Sequence, residues 1–141
     1  MMLISRSCSY ALRAVLYVAA YGHDRWILIR EVSDQLGISF SFLGKIVQQL
    51  SRAGILVSHK GPGGGIALAK PARDIALLDI VRAIDGANAL KGCLLGLPEC
   101  SDDAPCPLHE HWKGIRENIL HLLEHKSVAE LLSQEGSNVS S

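Results

Sequence analysis

A glycine-rich hairpin constrains this chain more than any other feature of its sequence. Ile55-Leu56-Val57-Ser58-His59 reads as one strand and Ile66-Ala67-Leu68-Ala69 as its return. Between them stands Lys60-Gly61-Pro62-Gly63-Gly64-Gly65, a turn signal. An isolated two-stranded hairpin is marginal in water and needs a surface to pack on. The preceding residues supply one. Arg30–Leu36 reads as a helix, Gly37-Ile38-Ser39 as a turn and Ser41–Ala53 as a second helix stopped by Gly54. Gly37 suits the positive φ of a tight inter-helix turn. Leu43, Ile46, Val47 and Leu50 recur at three- and four-residue spacing, a buried stripe.

Upstream, Ser5, Ser7 or Ser9 caps a first helix running to about Tyr21. Its apolar positions are Leu12, Val15, Leu16 and Ala19, and Gly22-His23-Asp24 ends it. Trp26–Ile29 is a short extended link. Downstream, Pro71 ends the hairpin, and a helix runs from Asp74 or Ala76 to about Asp85. Three helices followed by a hairpin predict a winged helix-turn-helix. The expected fold is mainly α with a small β-hairpin wing, plus a long C-terminal dimerisation helix. The expected organisation is a winged helix over 1–87, with its first helix also packing in a dimer. A cysteine-bearing loop over 88–106 follows, then a dimerisation helix and short helix over 107–133. A disordered polar tail covers 134–141.

The formal net charge of zero conceals a segregation. Residues 30–73 carry Arg30, Lys45, Arg52, Lys60, Lys70 and Arg73 against Glu31 and Asp34, whereas residues 74–141 are strongly acidic. The front of the chain suits phosphate and the back does not. A helix that enters the major groove needs small polar donors near its N-terminus and a buried rear face. Ser39, Ser41, Phe42, Lys45, Gln48 and Gln49 lie opposite the Leu43/Ile46/Val47/Leu50 stripe. His59, Lys60, Gly61 and Pro62 form the wing tip, where glycines permit close approach to the DNA backbone or minor groove. Together they predict binding to double-stranded DNA.

Of the four cysteines, Cys93, Cys100 and Cys106 are separated by six and five residues, and His109 follows. Pro107 suits the first position of a helix running to about His125, with Cys106 near its N-cap. Three residues along a helix turn about 300°, so His109 falls near the face of Cys106. Three thiolates and an imidazole suit an iron–sulfur cluster or zinc, and a metal-free thiol switch remains a third reading. No apolar run is long enough to span a membrane, and the start lacks a signal-peptide pattern. A cytoplasmic setting with reduced thiols is therefore expected. Trp112, Ile115, Ile119, Leu122 and Leu123 make a stripe on that long helix, read as a helix–helix seam of a two-fold homodimer. Such a dimer would face a pseudo-palindromic operator. Neither His23-Asp24 nor His109-Glu110-His111 makes a catalytic constellation, so no enzyme is expected. A winged helix serving only as a protein adaptor conflicts with the basic segment.

These residues resemble the Rrf2 family of bacterial winged-helix regulators from Met2 to about Leu132. The resemblance lies in Met2-Leu3-Ile4-Ser5, Tyr10-Ala11-Leu12-Arg13, the helix start Gly37-Ile38-Ser39-Phe40-Ser41-Phe42-Leu43 and the wing Ser58–Gly65. It is closest to the members that bind iron–sulfur clusters, with nitric-oxide-sensing members second. The resemblance implies a dimer and a two-iron two-sulfur cluster on Cys93, Cys100, Cys106 and His109, preferred over a four-iron form. In four-iron relatives a residue matching Ser9, beside Cys8, completes the site from the partner. Cluster-binding members often carry an acid where this chain has Gly44, and relatives usually have arginine at the position of Lys60. A cluster-free, thiol-redox or ligand-sensing regulator is the alternative within the family.

Overall fold

The computed structural model describes residues 4–62, 64–86 and 109–134. The predicted cysteine loop over 88–106, Pro107 and the tail beyond residue 134 lie outside them.

Helix α1, Arg6–Tyr21, starts at Ser5, whose hydroxyl accepts the Cys8 N–H at 3.0 Å. The Ser5 N–H also donates to the Asp85 carboxylate at 3.0 Å, and its hydroxyl donates to the other carboxylate oxygen. The cap therefore ties the first helix to the far end of the winged helix. Packing around α1 is broader than its sequence stripe suggests. Ala11, Ala14, Val15, Tyr17, Val18 and Ala19 are buried, while Leu12 and Leu16 are half-buried and pack against that core. The reason is tertiary. The helix sits at the centre of the domain, and its alanines let neighbours approach closely from several sides.

Helix α2, Ile29–Leu36, ends at Gly37, whose φ of 68° is left-handed. Ser39 then caps α3, Phe40–Arg52, by accepting the Phe42 N–H at 3.2 Å. Both helices begin one residue earlier than the sequence suggests. Leu43, Ile46, Val47 and Leu50 are all buried, as predicted. Strands β1, Leu56–His59, and β2, Gly65–Leu68, pair antiparallel with Leu56 opposite Leu68 and His59 opposite Gly65. Of the link read as extended, Ile27 alone joins the sheet. Its N–H donates to the Ile66 carbonyl at 2.9 Å, and its carbonyl accepts from Ile66 at 2.7 Å.

A 3-10 turn, Ala72–Asp74, leads to α4, Leu77–Asp85, where the Asp79 carboxylate accepts the Ala76 N–H at 3.0 Å. Helix α5, His109–His125, packs on α4, and α6, Val128–Gln134, follows. Backbone bonds strap the last two helices down. The Val128 N–H donates to the Ile75 carbonyl and the Leu77 N–H to the Lys126 carbonyl, each at 2.9 Å. Val128 is fully buried in the same core as α1.

One polar network pins α2 to the end of α1. Glu31 accepts two bonds from the Arg25 guanidinium, at 2.9 and 2.8 Å, and one from the Tyr17 hydroxyl at 2.6 Å. The Arg25 bonds, then the Tyr17 bond, hold the Glu31 carboxyl down at about 2. Its folded value lies below its ordinary value of 4.5. Its contribution to stability is therefore full above pH 4.5 and is lost as pH falls toward 2. Because Arg25 is half-exposed, solvent screening reduces that contribution to about 1 kcal/mol. Glu31→Gln should lower stability by that amount at pH 7 and flatten the acid limb in a urea titration at several pH values. An unchanged acid limb would show that the network contributes nothing.

Candidate nucleic-acid interface

The candidate reading face lies on α3. Its four buried residues hold one side against the core, so Ser41, Phe42, Lys45, Gln48 and Gln49 project from the opposite side, and all five are exposed. Ser39 is exposed as well, at the cap, where backbone N–H groups and the helix dipole favour a phosphate. Phe42 is partly engaged by the fold, since its ring stands nearly perpendicular to that of Tyr10, centroids 5.7 Å apart. His59, Lys60, Gly61 and Pro62 are exposed on the wing.

Three features of this surface were not legible in sequence. The Trp26 ring stacks on His59, centroids 5.2 Å apart, so the extended link braces the wing. The Arg30 guanidinium lies 4.4 Å over the Phe40 ring, which fixes a cation of α2 against the start of α3. Both pairs join residues from different elements, and no spacing rule connects them. The third concerns the wing glycines, expected to favour close approach to DNA. Gly64 and Gly65 are required by the hairpin itself. A Cβ on Gly64 would stand 2.1 Å from the His59 carbonyl oxygen, and one on Gly65 would stand 2.5 Å from that of Ile27. Gly61, by contrast, has open space around it.

Gly44 lies in mid-helix with nothing within 4 Å of where a Cβ would go. Gly44→Ala should therefore raise stability by about 1 kcal/mol, the helix-propensity difference. Chemical denaturation checks this, and a destabilised variant would reveal a constraint the packing does not show.

The predicted ligands Cys93, Cys100 and Cys106 lie outside the described residues, while His109 is the first residue of α5. Among the described residues no group of three or more His, Cys, Asp or Glu could hold a metal ion. Cys8 is fully buried against Leu78 and Val81. Burial, and then the nearby Asp85 charge, push its thiol up to about 12. Cys8 is thus a core residue kept as a thiol. On the predicted seam, Trp112 is buried within its own chain, Ile119 is half-buried, and Ile115 and Leu122 are each 52% exposed. Trp112 therefore faces inward rather than outward. Among the described residues no helix is long and apolar enough to cross a membrane.

A helix pair with an exposed polar reading face and a glycine-turned wing defines a winged-helix DNA-binding protein. Residues 4–134 match the Rrf2 family, described as iron-dependent transcriptional regulators. The regulator IscR of Erwinia tasmaniensis is 32% identical over 126 residues, covering 89% of this chain and 76% of that protein. Among solved structures, CymR, the global cysteine regulator of B. subtilis, superposes with a TM-score of 0.79 at 23% identity, covering 96% of this chain and 99% of that one. T. potens IscR superposes at 0.75 with 22% identity, covering 96% and 90%. The chain belongs to the Rrf2 family of transcriptional regulators. It is a DNA-binding regulator, and its relatives are regulators rather than enzymes.

Proposed function

We propose that this regulator works as a homodimer on a pseudo-palindromic operator, with its affinity set by an iron–sulfur cluster. Ser39, Ser41, Phe42, Lys45, Gln48 and Gln49 read the major groove, and His59, Lys60, Gly61 and Pro62 contact the adjacent backbone or minor groove. Cys93, Cys100, Cys106 and His109 hold the cluster, in the two-iron form. The observation that carries this reading is a donor set of three thiolates and an imidazole in a chain 32% identical to IscR and matching an iron-dependent family. That donor set fits a cluster, because soft thiolates select iron–sulfur centres and imidazole can replace a thiolate on one iron. Burial of Cys8 speaks for the two-iron form, since that thiol does not reach solvent beside Ser9. The bound cluster supplies a charged centre sensitive to oxidants, nitric oxide or iron supply. The chain's part is to hold it directly before α5, the helix assigned to the dimer seam. A change of order in residues 93–106 would then shift the two reading heads.

Anaerobic purification followed by a visible spectrum and iron and sulfide analysis tests the sensor. Two irons and two sulfides per chain are expected, with an altered spectrum in His109→Ala. A colourless protein with one zinc per chain would sink the cluster. A colourless, metal-free protein whose DNA affinity follows oxidant would mark a thiol switch instead. Footprinting at several salt concentrations tests the reader, and Lys60→Gln should lower the salt slope by about one.

A further inference from the structure

An open cleft of about 700 Å³ lies on the domain, and none of its lining residues is among those assigned above to the α3 face, the wing tip or the cluster. It brings together the end of α1, the base of the wing, the 3-10 turn and α6. Its floor is apolar, formed by Val18, Leu68 and Ala129, and its rim carries His23, Lys70 and Arg73. All three rim side chains are exposed, and none has an ion-pair or hydrogen-bond partner among the described residues. The nearby carboxylates Asp24 and Asp74 adjoin His23 and Arg73 in sequence but do not line the cleft.

We infer that this cleft binds a small organic anion with an apolar body, such as a medium-chain carboxylate. The volume is in the range of small-molecule sites, which are mostly apolar with a few placed polar groups. Charge complementarity chooses the ligand's sign. Lys70 and Arg73, without partners among the described residues, attract a negative head and leave the apolar floor to cover a hydrocarbon tail. A DNA phosphate would satisfy the rim but leave the floor uncovered. Two of the cations in the basic segment 30–73, Lys70 and Arg73, are thereby assigned to this ligand rather than to DNA. An occupant would touch the wing base and α6 together, giving the regulator a second input besides the cysteine loop.

The test is calorimetric titration of the full chain with octanoate and, separately, with octan-1-ol. One octanoate per chain is expected, bound at least tenfold more tightly than the alcohol. Lys70→Gln/Arg73→Gln should weaken octanoate at least tenfold with an unchanged circular dichroism spectrum. Ala129→Trp, which fills the floor without touching the charges, should abolish binding. Equal affinity for acid and alcohol, no binding at millimolar octanoate, or no effect of the double variant would overturn the inference. So would a wild type that ignores octanoate while the double variant loses about two units of salt slope on DNA, since the cations would then belong to phosphate. None of these readings depends on whether a cluster is bound.

Discussion

Gly65→Ala is expected to destabilise the protein by about 3 kcal/mol and to lower its thermal midpoint by roughly 10 °C. Two independent facts add here. Gly65 has a φ of 147°, a conformation side chains rarely adopt, and a Cβ would stand 2.5 Å from the Ile27 oxygen and 2.7 Å from its carbonyl carbon. Both contacts are backbone, so no rotamer change relieves them. Relief requires Ile27 to withdraw, which breaks its two hydrogen bonds to Ile66 and opens the core around the fully buried Ile27 and Ile66 side chains. The wing then loses its anchor, and DNA affinity should fall with stability. Gly61→Ala is the control. Its φ of 98° is also positive, but nothing stands within 4 Å, so only the backbone strain of about 1 kcal/mol remains. Thermal unfolding followed by circular dichroism separates the two. Equal midpoints for both variants would show that the close approach to Ile27 does not constrain the wing.

Ile115→Glu/Leu122→Glu should convert the proposed dimer into a folded monomer and weaken operator binding at least a hundredfold. Each residue is 52% exposed on α5, whose other side packs on α4 and whose Trp112, at 4% exposure, already belongs to the interior. Two large apolar side chains about two turns apart, left in solvent on a long helix, form the kind of patch that a second copy covers. Charges there would face each other across a two-fold axis, where like meets like. Losing the dimer removes the gain from binding two linked half-sites, on the order of a hundredfold or more. Analytical ultracentrifugation reads the mass and a gel-shift titration the affinity. A variant that sediments as a dimer would place the seam elsewhere.

Much of the reader was legible in the residues. The Leu43/Ile46/Val47/Leu50 spacing named its buried face and Gly37 its turn, while the cap at Ser39 emerged only with the structure. These are local signals, because helical period and left-handed backbone are properties of a few consecutive residues. The stripe on α1 named only part of its packing, for the opposite reason. Leu12 and Leu16 are the larger side chains, yet the alanines are buried, since what matters is how many elements surround the helix. Trp112 follows the same logic, as its spacing matches a seam while its neighbours draw it inward.

The hairpin shows where the boundary falls. Sequence alone determined that a glycine-rich turn follows Lys60, though it ran that turn to Gly65, which the structure pairs with His59 in β2, and that short apolar runs flank it. It also determined the winged-helix order and the segregation of basic and acidic segments, because composition and period need no partner. The tertiary structure decided why those glycines are there. Gly64 must clear the carbonyl of His59 and Gly65 that of Ile27, and Ile27 lies far outside the turn in sequence. It decided that Trp26 braces His59, that Glu31 bridges Arg25 and Tyr17, and that α6 is strapped into the core through Ile75. Each joins residues whose proximity is set by packing, which a local pattern in the chain cannot encode.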